Sequence, residues 1–127
     1  MKYYNKKQVD LPFNEAVEKT KLGLSKEGFG VLTEINVKET LKKKLGKDYD
    51  EYVILGACNP SLAYQALLAE KDIGLLLPCN VVVYEDHEKV FVSTIVPSVA
   101  MNFVQNESLS SIAKEVDEKL RKVIDAI

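Results

Sequence analysis

The sequence predicts an α+β domain: an antiparallel sheet with helices packed on one face and short helices inserted between the strands. Three observations predict it. Strand-like and helix-like stretches run in the order strand, helix, strand, short helix, strand, short helix, strand, strand, helix. The last two strands are separated only by a tight polar turn, which joins antiparallel neighbours. The C-terminal stretch keeps an unbroken helical period at Leu109, Ile112, Ala113, Val116, Leu120, Val123, Ile124 and Ile127, the mark of a helix lying on a core. At 127 residues the chain has the size of one domain, for which roughly 100–150 residues is typical. Residues 1–127 are therefore read as a single domain.

Residues 2–9 form a weakly patterned first strand. Pro12 suits the first turn of a helix. Phe13, Ala16, Val17, Thr20 and Leu24 then recur at helical spacing, and Gly28 supplies a left-handed stop. FGVLTEINV alternates as a half-buried strand. In VKETLKKKLG, Val37, Leu41 and Leu45 share a face and Gly46 ends a short helix. YVILGAC reads as a strand that is apolar on both faces. NPSLAYQALLAEKD opens with Asn59 as cap and Pro60 at the first helical position, followed by Leu62, Ala63, Ala66 and Leu67 as the buried stripe. IGLLLPCNVVVYED reads as one long central strand. Asp86 and His87 turn it back into KVFVSTIVP. PSVAMNFV is a short helical turn, and Asn106 or Ser108 caps the terminal helix.

The strands at 53–58 and 73–84 are apolar on both faces, so helices on one face leave the other in need of cover. The short helices are one candidate. A second copy of the chain is the favoured one, since two-fold dimers are the commonest oligomers. A homodimer is therefore expected.

Composition narrows the partners. The hydrophobic share of 46% and charged share of 28% are those of an ordinary globular chain. A net charge of −2 supplies no long-range attraction to nucleic acid or an anionic membrane, so neither is expected as a partner. The opening MKYYNKKQVDLPF has no apolar leader, and the longest apolar run is broken by Pro78 and Asn80. With two cysteines in the chain, a reduced, cytoplasmic protein is expected.

GFGVLTEINV, KKKLG, YVILGACNPSLAYQAL and IGLLLPCNVVVYED resemble, in order and spacing, the bacterial and archaeal family called domain of unknown function 302. The resemblance runs from about residue 9 to about residue 97; the rest matches only as a generic helix. It implies a TBP-like β-α-β(4)-α fold and a homodimer, and it implies no established activity. One departure shows. Asp is expected after the isoleucine of TEI, and Asn36 stands there. A role as metal ligand or base would be lost with that change, whereas a capping role survives it.

Both cysteines precede an asparagine, and these pairs are the candidate site. Cys58 lies between a strand and a helix N-terminus, where backbone N–H groups favour a thiolate or a bound anion. The competing structural reading makes Asn59 a helix cap and Cys58 a small buried hydrophobe. Cys79 and Asn80 follow Pro78, which removes a ladder donor and predicts an edge or a bulge. Asn80 then either meets a ligand or satisfies the backbone that the proline disrupts. Glu34, a carboxylate in an apolar strand, is the fifth candidate. No zinc-type spacing exists, and the one histidine, His87, falls in a turn. No metal, cofactor or catalytic residue is therefore assigned. Lys42, Lys43, Lys44 and Lys47 read as a solvated cluster near a helix C-terminus. The tyrosines look too scattered for a stacking platform. The favoured function is a homodimeric small-ligand or anion-binding domain with its pocket near Cys58, Asn59, Cys79, Asn80 and Glu34. The alternatives are a thiol-dependent redox protein or enzyme using Cys58, and a structural dimerisation domain without a small-molecule site.

Overall fold

The computed structural model describes residues 2–127. Strands β1 (Tyr4–Val9), β2 (Gly30–Asn36), β3 (Tyr52–Cys58), β4 (Cys79–Asp86) and β5 (Lys89–Ile95) form one sheet of order β1-β5-β4-β3-β2, antiparallel throughout. Helices α1 (Phe13–Lys26) and α5 (Glu107–Asp125) lie on one face. The α+β class, the antiparallel sheet and its one-sided helical cover agree with the sequence.

Strand alternation sets the two faces. Val53, Leu55 and Ala57 of β3 pair in register with Val83, Val81 and Cys79 of β4. Val81 and Val83 oppose Thr94 and Val92 of β5. These residues point under α1 and α5, where Leu24, Leu55, Val81, Val83, Val92 and Leu120 are fully buried. Burying one such aliphatic side chain is worth about 1.5–3 kcal/mol, so this row dominates the stability of the sheet. The intervening residues Tyr52, Ile54, Gly56, Asn80, Val82, Tyr84, Phe91 and Ser93 form the second face. Of the short helices, α3 (Pro60–Ala69) and α4 (Pro97–Ala100) do not cover it and pack on α5.

The helix boundaries follow their local chemistry. Phe13, Ala16, Val17, Thr20 and Leu24 are the buried face of α1, as their spacing predicts. Gly28 stands at φ +84°, in the left-handed region that an L side chain rarely adopts. Asn36 caps α2 (Val37–Leu45) by accepting from the Glu39 N–H at 3.0 Å, so the capping role is the one that survives in place of Asp. Asn106 caps α5.

Several details correct the sequence reading. The long central strand is shorter than expected: Lys71–Leu76 forms a 3-10 helix, and β4 begins at Cys79. Pro78 thus precedes a central strand instead of marking an edge, and no ladder donor is lost there. The bulge lies in β2, between Val31 and Thr33. That strand is a sheet edge with Leu32 at 67% and Ile35 at 47% exposure, not a half-buried strand. Leu67 of α3 is exposed, and only Leu62 and Ala66 of its predicted stripe are buried. The hairpin turn is His87–Glu88, both at positive φ, one residue later than expected.

Thr94 is 1% exposed, and its hydroxyl has no hydrogen-bond partner among the described residues. A buried hydroxyl left unpaired costs about 1–3 kcal/mol. Thr94→Val is therefore expected to raise stability by about 1 kcal/mol, read as a higher urea midpoint at unchanged slope. A lower midpoint would show that the hydroxyl is satisfied.

Candidate functional site

β3 ends where α3 begins, and Asn59 makes the junction. Its Oδ1 accepts from the Leu62 N–H at 3.3 Å, and its Nδ2 donates to the Glu27 carbonyl at 3.4 Å. The same Nδ2 lies 3.1 Å from where a Cβ on Gly28 would stand. One amide thus ties the end of α1 to the start of α3, with both its oxygen and its nitrogen engaged inside the protein. The capping role expected of Asn59 is present in full.

Cys58 and Cys79 come together. Cys79 pairs with Ala57, the residue preceding Cys58, and both thiols are free. Both line a narrow cavity of about 40 Å³ with Asn59. Phe29, Leu62, Met101 and Val116 wall it, and the short side chains of Ala57, Ala63, Ala66 and Ala113 leave the space. Burial pushes the Cys79 thiol up to about 11, and the neighbouring Cys58 and Asp117 add to the rise. Cys79 is thus a neutral thiol at physiological pH. The sign for stability follows. An unfolded Cys79 ionises from about 9, so the stabilisation from keeping it neutral is whole below that pH and is lost as pH climbs toward 11.

Asn80 turns the other way. It faces Gly56 across the ladder on the second face of the sheet and is exposed, with no side-chain hydrogen bond among the described residues. Gly56 is required there. The Thr33 hydroxyl fills the place of a side chain, and the Pro78 Cγ stands 2.9 Å from it. Glu34 belongs to neither place. It is on the helix side at the sheet edge, where it binds Lys21 of α1 at 2.6 Å. The carboxylate, as hydrogen-bond partner, raises the pKa of that lysine. The Glu34 side chain is half-exposed, which limits such a pair to about 0–1 kcal/mol.

The second face holds what the sequence reading missed. Tyr52 and Tyr84, cross-strand partners, stack with centroids 5.2 Å apart, and Tyr84 and Phe91 stack at 5.5 Å. Lys6 of β1 lies 5.6 Å from the Tyr4 ring and 5.3 Å from the Phe91 ring. The Tyr84 hydroxyl, as hydrogen-bond partner, raises the pKa of Lys6. Three of the six tyrosines that look scattered along the chain, Tyr4, Tyr52 and Tyr84, are therefore on one face of the sheet. The available signal was their parity: each sits at an outward position of its strand once the register is known.

Lys42, in the basic last turn of α2, pairs with Asp48 at 3.0 Å. Among the described residues no group of three His, Cys, Asp or Glu is placed to hold a metal ion, and no helix is long and apolar enough to cross a membrane.

The fold and these two places define a small α+β domain with a sequestered thiol cavity on one side of its sheet and an aromatic surface on the other. The chain belongs to the family described as Domain of unknown function DUF302, whose model matches residues 5–127. The match includes the terminal helix, beyond the stretch on which the motifs carry the resemblance. A crystal structure of an uncharacterized conserved DUF302 protein from Bacillus stearothermophilus has the same fold, with a TM-score of 0.91. The two are 31% identical, over 97% of this chain and 96% of that one. Comparison with curated proteins gives no match.

Two predictions follow from this geometry. Asn59→Ala is expected to cost about 1–2 kcal/mol, as the loss of a helix cap does. Asn59→Asp keeps the acceptor for Leu62 and is expected to cost less; equal loss in both would place the stability in the bond to Glu27 instead. For the thiols, iodoacetamide at pH 8 is expected to alkylate Cys58 well before Cys79, whose thiolate fraction at that pH is about 0.1% for a pKa near 11. Peptide mass mapping against time reads the order, and equal rates would contradict the burial of Cys79.

Proposed function

We propose that the chain is a homodimeric domain that binds a small, uncharged, largely apolar molecule in the cavity lined by Cys58, Asn59 and Cys79. The carrying observation is that both Cys-Asn motifs send their cysteines into one cavity with apolar walls. A wall of this kind favours apolar atoms and stays dry when empty. The Asn59 amide is engaged on both ends, which argues against the anion that the sequence alone allows at this helix N-terminus. Neighbouring side chains admit a larger guest by moving Met101, whose unbranched stem repacks easily. The exposed Leu32 and Ile35 of β2 and Leu45 of α2 support a second subunit at this sheet margin, rather than over the whole second face as the sequence reading expects. A cytoplasmic location suits two free thiols.

A thiol-redox reading has one observation in its favour: Cys58 is adjacent to the ladder partner of Cys79. It predicts a denatured, unreduced protein lighter by two hydrogen atoms, the protons and electrons having passed to an external oxidant such as dioxygen.

Native mass spectrometry of freshly purified, unreduced protein tests the dimer and any retained guest together. A dimer is expected, and a monomer overturns that part of the proposal. Xenon is the probe for the cavity. Under xenon pressure, methyl signals of Ala57, Leu62, Ala113 and Val116 are expected to shift. Ala63→Val, which fills the space, is expected to abolish those shifts while leaving the rest of the spectrum in place. Shifts that survive the substitution, or that never appear, overturn the cavity as the ligand site.

A further inference from the structure

The second face of the sheet carries a concavity of about 440 Å³ that plays no part in the cysteine cavity. Tyr4, Lys6, Tyr52, Asn80, Tyr84 and Ser93 line it. We propose that this groove is a separate binding site for a small aromatic carboxylate.

The chemistry of the lining sets the class of ligand. Its walls are tyrosine rings. Stacked and edge-on aromatic contacts favour a planar guest. Tyr3 and Tyr4 meet edge to face with centroids 5.1 Å apart and form one rim. The floor has one charge, Lys6, and no carboxylate lines the groove. Among the described residues no acidic oxygen lies within 4.0 Å of the Lys6 ammonium, whereas Lys21, Lys38 and Lys42 each have a carboxylate partner. Asp86 acts on Lys6 only at longer range. The exposed cation sits instead over aromatic rings, whose faces attract it. A bound carboxylate would give this ammonium a charged partner beside the Tyr84 hydroxyl.

Asn80 supplies orientation. Its side chain has no hydrogen-bond partner among the described residues, and it is exposed beside the groove. A free carboxamide donates to one carboxylate oxygen while an ammonium takes the other. Ser93, next to Val82 in the ladder, adds a hydroxyl. A single cation suits a monoanion. It does not suit a nucleic acid strand, whose successive phosphates call for several basic groups. The groove also lies toward β1 and β5, at the far side of the sheet from the exposed β2 margin assigned to the second subunit.

The test is a titration of the whole protein with benzoate at low salt, followed by amide NMR shifts and calorimetry. Benzamide, the neutral isostere, is the control. Benzoate is expected to shift the amides of Tyr4, Lys6, Asn80, Val82 and Ser93, and to bind about tenfold more tightly than benzamide, as a charge-assisted bond allows. Lys6→Gln is expected to bring benzoate down to the benzamide level, and Asn80→Ala to weaken it severalfold, with unchanged thermal stability in both. Lys6→Gln leaves the xenon response of the cysteine cavity intact, so failure here and failure there are separate results. Equal binding of benzoate and benzamide overturns the role of Lys6. Equal shifts from sodium sulfate overturn the aromatic half of the assignment. Tighter binding of uridine monophosphate than of benzoate would overturn the carboxylate in favour of a nucleotide.

Discussion

Everything in this fold depends on helices covering one face of the sheet and not the other. Because α1 and α5 lie on the same side, every second residue of β3, β4 and β5 is driven into a closed core, and its neighbours are held outside it. Apart from Thr94 and Cys79 the inward row is aliphatic, and all of it is buried. The outward row cannot gain from helices, so its stability comes from within the sheet, through side chains wide enough to cover one another across strands. Tyr52, Tyr84 and Phe91 do this by stacking, at about 0.2–1 kcal/mol for each cross-strand pair. The aromatic surface is thus a consequence of the one-sided cover as well as a candidate place for a ligand.

The cysteine cavity has a different origin. α3 crosses from the end of β3 to rest on α5, and the residues it meets there are short: Ala63 and Ala66 on one side, Ala113 on the other. Interiors pack at close to crystal density, so a gap lined by alanines and two thiols is a local departure from the rule that holds under the rest of the sheet. Asn59 keeps the departure from collapsing. By fixing α3 to the end of α1, it holds the helix at a set height above the strands. A shift of α3 into the gap would break one bond or the other.

Much of this was legible in the sequence, and the reasons are physical. The helix spacing of α1 and α5 and the caps at Asn36, Asn59 and Asn106 are local features, set by residues within a turn of one another. The order of elements followed from them. Apart from the one-residue shift of the hairpin turn, the misreadings are non-local. IGLLLP has the apolar content of a strand, yet Ile73 packs against Ala66 and Leu109 in a second small core, and the segment coils to reach it. The edge position of β2 depends on which strands pair, which alternation within one strand cannot reveal. Glu34 was a fair candidate as an isolated carboxylate, but its partner Lys21 comes from a helix on the other side of a turn. The tyrosine row and Lys6 were invisible for the same reason: four strands must be in register before they are neighbours.

The same two letters, Cys-Asn, end up with unlike fates, and the backbone alone accounts for it. Cys79 and Asn80 are both inside β4, where successive side chains point to opposite faces. Cys79 is therefore in the core and Asn80 on the open surface. Cys58 is the last residue of β3, and Asn59 has already left the strand to cap a helix. Past the strand end the alternation no longer applies, so both residues turn toward the cavity. A site drawn around both motifs is thereby split by the sheet itself: three of its residues stand on the helix side and Asn80 stands on the other. Any ligand that touches Cys58, Cys79 and Asn59 leaves Asn80 free, and Asn80 is the one polar side chain of the four without work inside the fold. The open face is thus where Asn80 meets Tyr4, Lys6 and Tyr84 around a groove of its own.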